Sequence, residues 1–279
     1  MSILEVDVLV IGAGVVGATL IRELSRYELA LLLVEKEVDV SFGTSKANSG
    51  IVHSGVHERP GTLKAQLCVR GCQLFPELAA ELGVLYKQNG TVVVARSREE
   101  LARLEKLAEN GRANGVKELS LLNQDELRRL EPNLSTDLVG GLFVPSGGIV
   151  VPFDLVFALT ENAVANGARL MVGTEVLGIK EEKDGFLVRT NRRPLRAKVI
   201  VNAAGLYGGA VAAMGGDHSI QLYDRKGEEY LFDRKLEGLV QRTVFPLPSE
   251  VSKGILVIPT VDGNIMIGPT AHRVENYDL

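Results

Sequence analysis

The chain has 279 residues, 46% of them hydrophobic and 24% charged, which is enough apolar content to bury a large core in a soluble globular protein of two sequential or interleaved domains. Its formal net charge of -4 gives no basic footprint for a phosphate backbone, so nucleic acid is excluded as an expected partner. The start lacks a basic segment followed by an apolar run, and the apolar stretch from Val8 to Ile21 is broken by glycines, so neither a signal peptide nor a membrane span is read.

In chain order, an apolar strand (7–11), a glycine turn, a helix (15–26) and a second apolar strand (30–34) make one βαβ unit. A polar, glycine-rich loop (41–50) follows. A helix is then expected from Pro60, a residue pre-set for the first helical position, with Leu63, Leu67, Leu74 and Leu78 as its apolar stripe. Cys68 and Cys72, four residues apart, fall on one face of that helix as small hydrophobes rather than in a metal knuckle, and a reduced, cytoplasmic protein fits them best. No metal site, nucleophile elbow or P-loop is read.

The middle of the chain predicts a strand (91–95), a charged helix (98–110) and a helical stretch ending before Pro132, together outside the βαβ core. A helix (152–165) and strands at 169–172, 185–190 and 198–202 come next. Short strands at 229–232, 254–258 and 264–267 follow, the last pair turning around Asp262-Gly263, as in an antiparallel sheet covering a site.

Gly12-Ala13-Gly14-Val15-Val16-Gly17 matches G-x-G-x-x-G between a strand and a helix. Gly12 suits the tight turn, Gly14 the approach of a pyrophosphate, and Gly17 close helix-strand packing, while Glu35 at the end of the second strand is placed to accept from ribose hydroxyls. This fingerprint serves FAD and NAD alike. The chain lacks the repeated βα units of a full nicotinamide domain, and the loop Gly43–Gly50, rich in hydroxyls, an amide and flexible backbone, suits the pyrophosphate and flavin end of a longer cofactor.

The segment GTSKANSGIVHSGVHERPGTLKAQLCVRG resembles the matching part of the D-amino acid oxidase-like flavoproteins, in the branch of the anaerobic-type glycerol-3-phosphate dehydrogenases and L-2-hydroxyglutarate oxidases. VIVNAAGLYGGAVA, RKGEEYLFD and KGILVIPTVDGNIMIGPTA carry the resemblance over nearly the whole chain. It implies an α/β fold: a discontinuous Rossmann-type FAD-binding domain (1–80 and 145–215) and an α+β cap, a substrate domain with a mixed antiparallel sheet (81–144 and 216–279). It also implies that the chain ends before a C-terminal segment that completes the sheet and caps the flavin.

The resemblance assigns the ADP part of FAD to Gly12, Gly14, Gly17 and Glu35, with Lys36 beside it. Thr44, Ser45, Asn48, Ser49 and Gly50 would lie along the pyrophosphate, ribityl chain and isoalloxazine. Val176 would present backbone to the adenine, with Ala203, Ala204 and Gly205 closing that pocket. His53 is the first candidate for the base that takes the substrate's hydroxyl proton, since its pKa lies near working pH, although a histidine that merely orients the loop reads equally well. His57 and His272 are weaker candidates, and His218 weaker still. Arg225, Lys226 and Lys253 are candidates for an anionic substrate group, each reading also as a solvated charge.

The expected reaction is hydride transfer from a small phosphorylated or 2-hydroxy alcohol to FAD. Glycerol 3-phosphate is the first choice and L-2-hydroxyglutarate the rival, with a quinone or other carrier as electron acceptor. A non-catalytic nucleotide-binding scaffold, completed by a missing C-terminal segment or a partner subunit, is the reading from a different class. An apolar edge left for that segment would favour a homo-oligomer. The expected location is the cytoplasm, or the inner face of the cell membrane where the acceptor is a quinone.

Overall fold

The computed structural model describes residues 2–248 and 254–274, which form two compact units: Met1–Asn48 with Pro152–Asp224, and Ser49–Val151 with Arg225–Leu279. The chain leaves the first unit at Asn48 and re-enters it at Pro152. The segment 49–80, grouped with the nucleotide-binding domain on sequence grounds, packs in the second unit.

The first unit is built on a six-stranded sheet in the order Val176–Glu182, Gly185–Thr190, Leu195–Asn202, Leu4–Ile11, Leu31–Val34, Arg169–Met171. The last four strands are parallel and the first two join as antiparallel neighbours. Leu31–Val34 is buried throughout, which is why it reads as an unbroken apolar run: a parallel strand in the middle of a sheet is covered on both faces. The helices Val15–Leu24 and Pro152–Ala165 pack together. There the buried Arg22 donates through Nε to Asn162 Oδ1 at 3.2 Å.

The second unit carries a mixed seven-stranded sheet in the order Tyr230–Leu231, Ile265–Gly268, Leu256–Pro259, Thr243–Pro246, Thr91–Ala95, Gly140–Val144, Ser120–Asn123. Only the pairing of Thr243–Pro246 with Thr91–Ala95 is parallel. The Asp262-Gly263 turn joins its hairpin as the sequence predicts, with Gly263 at φ +90° and Thr260 N–H donating to Asn264 O at 2.8 Å. A three-stranded sheet of Ile51–Val52, Gly148–Val150 and Tyr86–Lys87 lies in the same unit.

The long helix of this unit corrects two expectations. It runs Leu63–Leu82 rather than from Pro60, and Thr62 is its N-cap, accepting from Ala65 N–H at 3.2 Å. The leucine stripe faces outward, with Leu63, Leu67 and Leu74 at 68%, 56% and 52% exposure, while Ala65, Val69, Cys72 and Ala79 are buried. Close approach is the reason. A Cβ on Gly55 would stand 2.6 Å from Val69 Cγ2, so the inner face has room for small or β-branched side chains and none for leucine.

Glu131 fastens this unit from within. It is 1% exposed and its carboxylate accepts from the backbone N–H groups of Gln241 (3.0 Å) and Arg242 (2.7 Å), with the Arg242 guanidinium at 3.5 Å. Glu131→Ala strands two N–H groups and is expected to cost about 3 kcal/mol of unfolding free energy, Glu131→Gln distinctly less because it keeps an acceptor oxygen. Urea unfolding of the two variants checks this, and unchanged stability in Glu131→Ala would show that the carboxylate holds nothing.

Candidate functional site

The glycine turn has the geometry its sequence implies. Gly12 sits at φ +101°, and a Cβ there would lie 2.5 Å from Ala203 O; a Cβ on Gly17 would lie 1.9 Å from Gly12 O. These two glycines are therefore required by the fold. Gly14 differs, because an added Cβ would meet only the Ser45 side chain, at 3.0 Å from its Oγ. The space in front of Gly14 is open for a ligand. Gly14 is also the N-cap of helix Val15–Leu24, whose first turn holds no acidic residue and whose Val15 N–H is met by the Ser45 hydroxyl. A positive helix end with no acidic side chain in its first turn and an open glycine backbone in front of it suits a pyrophosphate.

Glu35 ends the second strand with its carboxylate on backbone: Oε2 accepts from Ala13 N–H at 2.8 Å and Oε1 from Glu37 N–H at 3.0 Å. Its remaining lone pairs can receive hydroxyl donors. Lys36 Nζ lies 4.2 Å from the centre of the Tyr207 ring and 2.5 Å from Glu37. Both contacts favour the ammonium and raise its pKa, Glu37 contributing most. Tyr207 was not singled out in the sequence. On the same side of the turn, Ala203 N–H donates to Ile11 O at 2.8 Å, Ala204 N–H to Asn202 Oδ1 at 3.2 Å, and Gly205 adopts φ +55°. Val176 is buried at the start of its strand.

In the loop that follows, Ser45 Oγ accepts from Val15 N–H at 2.9 Å, and Asn48 Nδ2 donates to Thr44 O at 3.1 Å and Ser45 O at 2.9 Å. The structure thus gathers Gly12, Gly14, Gly17, Glu35, Ser45, Ala203 and Ala204 around one turn of the first unit.

In the second unit Ser49 Oγ–H donates to the Glu229 carboxylate, and Gly50, at φ +63°, accepts through its carbonyl from Val150 N–H at 2.8 Å. His53 and His57 flank Phe245, their ring centres 6.2 Å and 5.3 Å from it. Cys68 Sγ donates to His53 O at 3.3 Å and Cys72 Sγ to Ser146 O at 3.1 Å. Burial pushes the Cys72 thiol pKa up.

The turn between the two histidines is strapped by asparagines that sequence reading passed over. Asn110 Nδ2 donates to Val56 O and Glu58 O (3.0 and 2.9 Å), and Asn114 Nδ2 to Gly55 O and Glu58 O (2.9 and 2.7 Å). Asn110, in the last turn of helix Arg98–Ala113, and Asn114, its C-cap, stand four apart, and that spacing is the signal that could have drawn attention to them.

Arg225 and Lys226 form a short exposed strand against His272–Arg273, and Lys226 is paired with Glu228 at 2.8 Å. His218 and His272 are exposed. Lys253 lies outside the described residues. Among the described residues, no helix is long and apolar enough to cross a membrane.

A glycine-turn βαβ unit with an acidic strand end, in a chain whose other unit carries a mixed sheet, defines a two-unit dinucleotide-binding protein. Residues 7–279 match the family described as FAD dependent oxidoreductase, and the chain belongs to that family. FAD is the cofactor this membership assigns, and the open Gly14 cradle fits it.

The chain is 42% identical to a glycerol 3-phosphate dehydrogenase of Caloramator mitchellensis, over 95% of its own length and 55% of that protein's. It is 32% identical to a glycerol 3-phosphate oxidase of Mycoplasma pneumoniae, covering 71% of it, and 31% identical to an L-2-hydroxyglutarate dehydrogenase of Escherichia coli, covering 64%. The structure matches that of a dithionite-reduced L-alpha-glycerophosphate oxidase from Mycoplasma pneumoniae with FAD bound, at TM-score 0.93 and 31% identity, over 99% of this chain and 73% of that one. A glycine oxidase from Geobacillus kaustophilus matches at TM-score 0.89 and 27% identity, over 99% and 73%.

If the asparagine straps hold the histidine turn, Asn110→Ala with Asn114→Ala should speed amide exchange at residues 54–58 by about tenfold, near 1.4 kcal/mol of local stability, with little change elsewhere. Hydrogen-exchange mass spectrometry reads this directly. Unchanged exchange at those residues would mean that the turn is held by other contacts.

Proposed function

We propose that this chain is the FAD- and substrate-binding part of a dehydrogenase that oxidises a small phosphorylated or 2-hydroxy alcohol, glycerol 3-phosphate to dihydroxyacetone phosphate. The 42% identity to a glycerol 3-phosphate dehydrogenase over 95% of the chain carries the substrate assignment. In this reading the first compact unit is the FAD-binding domain and the second the substrate domain.

The N-terminus of helix Val15–Leu24 in front of Gly14 would hold the pyrophosphate, and Glu35 would receive the ribose hydroxyls with Lys36 beside it. Val176, Ala203, Ala204 and Gly205 enclose the adenine. Thr44, Ser45, Asn48, Ser49 and Gly50 follow the rest of the cofactor. Bound FAD supplies the acceptor for the hydride that leaves the carbinol carbon. His53 takes the hydroxyl proton on an imidazole nitrogen, its ring steadied by Phe245 and its backbone by the Cys68 thiol. Arg225, Lys226 and Lys253 are the cations offered to the substrate's anionic group. The electron acceptor in this reading is a quinone or another carrier, at the inner face of the membrane or in the cytoplasm.

The test starts from the purified chain incubated with FAD, followed by glycerol 3-phosphate without oxygen. Uptake of FAD and bleaching of its visible absorption support the reading. Bleaching by L-2-hydroxyglutarate alone would transfer it to the second substrate, which the 31% identity to the Escherichia coli enzyme favours. A chain that takes up no FAD would leave a non-catalytic scaffold.

Two substitutions give sharper expectations. Gly14→Ala should weaken FAD binding about tenfold at nearly unchanged unfolding midpoint, whereas Gly12→Ala, at φ +101° and facing Ala203 O at 2.5 Å, should lower stability itself. Parallel ligand titrations and thermal melts separate the two. His53→Gln should lower kcat by about 10²–10⁴ with FAD still bound, as measured by steady-state turnover; a full rate would assign the proton to another group.

A further inference from the structure

The four parallel strands of the first unit end level with one another: Asn202, Ile11, Val34 and Met171 stand side by side in register. The segments that leave these ends therefore emerge along one edge of the sheet, the edge at which ligands of parallel α/β sheets bind. Leu4–Ile11 lies between its two neighbours, so its glycine turn has the turn after Asn202 on one side and residues 35–37 on the other. The contact of Lys36 with Tyr207 joins those two sides, with the ammonium 4.2 Å from the centre of the ring. All of these residues belong to the first unit.

Both ends of the contact are built on fixed backbone. On the lysine side, Glu35 N–H donates to Met171 O at 3.0 Å, Thr174 N–H to Glu35 O at 2.7 Å and Gly173 N–H to Glu37 O at 2.6 Å. On the tyrosine side, Asn202 Nδ2 donates to Gly208 O at 2.7 Å and its Oδ1 accepts from Ala204 N–H, while Tyr207 N–H donates to Ala204 O at 3.0 Å. Lys36 Nζ also pairs with the Glu37 carboxylate at 2.5 Å. An exposed lysine ordinarily leaves its four-carbon stem mobile. This one is held at two points, so the ordering that a ligand would otherwise have to impose is already in place.

An ammonium has three donors and Glu37 occupies one, which leaves Lys36 donor capacity for an incoming oxygen or ring nitrogen. Glu35, the residue before it, is anchored on Ala13 N–H and Glu37 N–H and keeps acceptor capacity for hydroxyls. An acceptor and a donor thus follow one another at the sheet edge, with an aromatic ring beside the donor. That set matches a nucleoside, which offers hydroxyl donors on its sugar and acceptor nitrogens on its base.

We propose that Tyr207 is a positioning residue for the nucleoside end of the cofactor: it holds the Lys36 ammonium across the end of Leu4–Ile11, and the two side chains form a latch that retains adenosine. The inference rests on the reading of this turn as the place of the ADP part of FAD. It adds an aromatic residue to that site and gives Lys36 the role of donor.

The test is calorimetric titration of the full chain with ADP, for wild type, Tyr207→Leu, Tyr207→Phe, Lys36→Met and the Tyr207→Leu/Lys36→Met double variant. Tyr207→Leu and Lys36→Met should each weaken ADP binding about tenfold, and the double variant little more than either alone, because both act through one contact. Tyr207→Phe keeps the aromatic face and should stay within about twofold of wild type. The melting midpoint of the ligand-free chain separates a latch from a packing residue, and Lys36→Met should leave it unchanged. Full ADP affinity in Tyr207→Leu, a loss that Tyr207→Phe shares, losses that add in the double variant, or a lowered midpoint in Lys36→Met would each overturn the proposal while leaving the FAD reading intact. A wild-type chain that binds neither ADP nor FAD would overturn the functional reading, and this inference with it.

Discussion

The closeness of the Gly12 turn to the strand end at Ala203 is the constraint on which the first unit depends. With a Cβ on Gly12 placed 2.5 Å from Ala203 O and one on Gly17 placed 1.9 Å from Gly12 O, neither residue can carry a side chain without moving the helix away from the sheet. Keeping them bare brings the helix N-terminus to the carboxyl end of the parallel strands, where its dipole and free N–H groups face a ligand. Gly14 is bare for a different reason, since the fold leaves space there. The same three-glycine motif thus divides into two positions that serve packing and one that serves recognition.

Carboxylates do much of the remaining work of placement. Glu35 ties the end of one strand to the glycine turn, Glu131 ties a helix end to the strand at 243–246, and Glu58 pairs with Lys64 at 2.7 Å while its carbonyl receives both asparagine straps. Each holds irregular backbone that has no sheet or helix partner of its own, where an unpaired polar group would be costly. The histidine turn is accordingly a loop held by side chains from a regular helix, an arrangement that lets irregular backbone be as fixed as the scaffold.

Much of this was legible in the sequence. The run at 31–34 reads as a buried parallel strand, the glycine spacing marks a ligand turn, and Asp262-Gly263 marks a hairpin, because each reflects forces acting within a few residues. The long helix was misread at its inner face: leucines dominate the apolar pattern, but the packing distance set at Gly55 selects Ala65, Val69, Cys72 and Ala79. Short strands such as Gly140–Val144 and Ser120–Asn123 left no clear alternation. Glu229, Asn110 and Asn114 escaped notice because their bonds join residues far apart in the chain; the spacing of four between the two asparagines marks a shared face but not the turn they hold.

The pairing of Leu4–Ile11 with Leu195–Asn202 has a consequence for how the protein is made. Val8 lies opposite Val199, so the neighbour of Leu4–Ile11 on that side is synthesised only after the whole segment Ser49–Val151 of the second unit. Until then one edge of an apolar parallel strand is open to other chains, and closing the sheet requires a loop of very high contact order. The second unit likewise takes four of the seven strands of its mixed sheet from the segment after Asp224, so both sheets close across long stretches of chain.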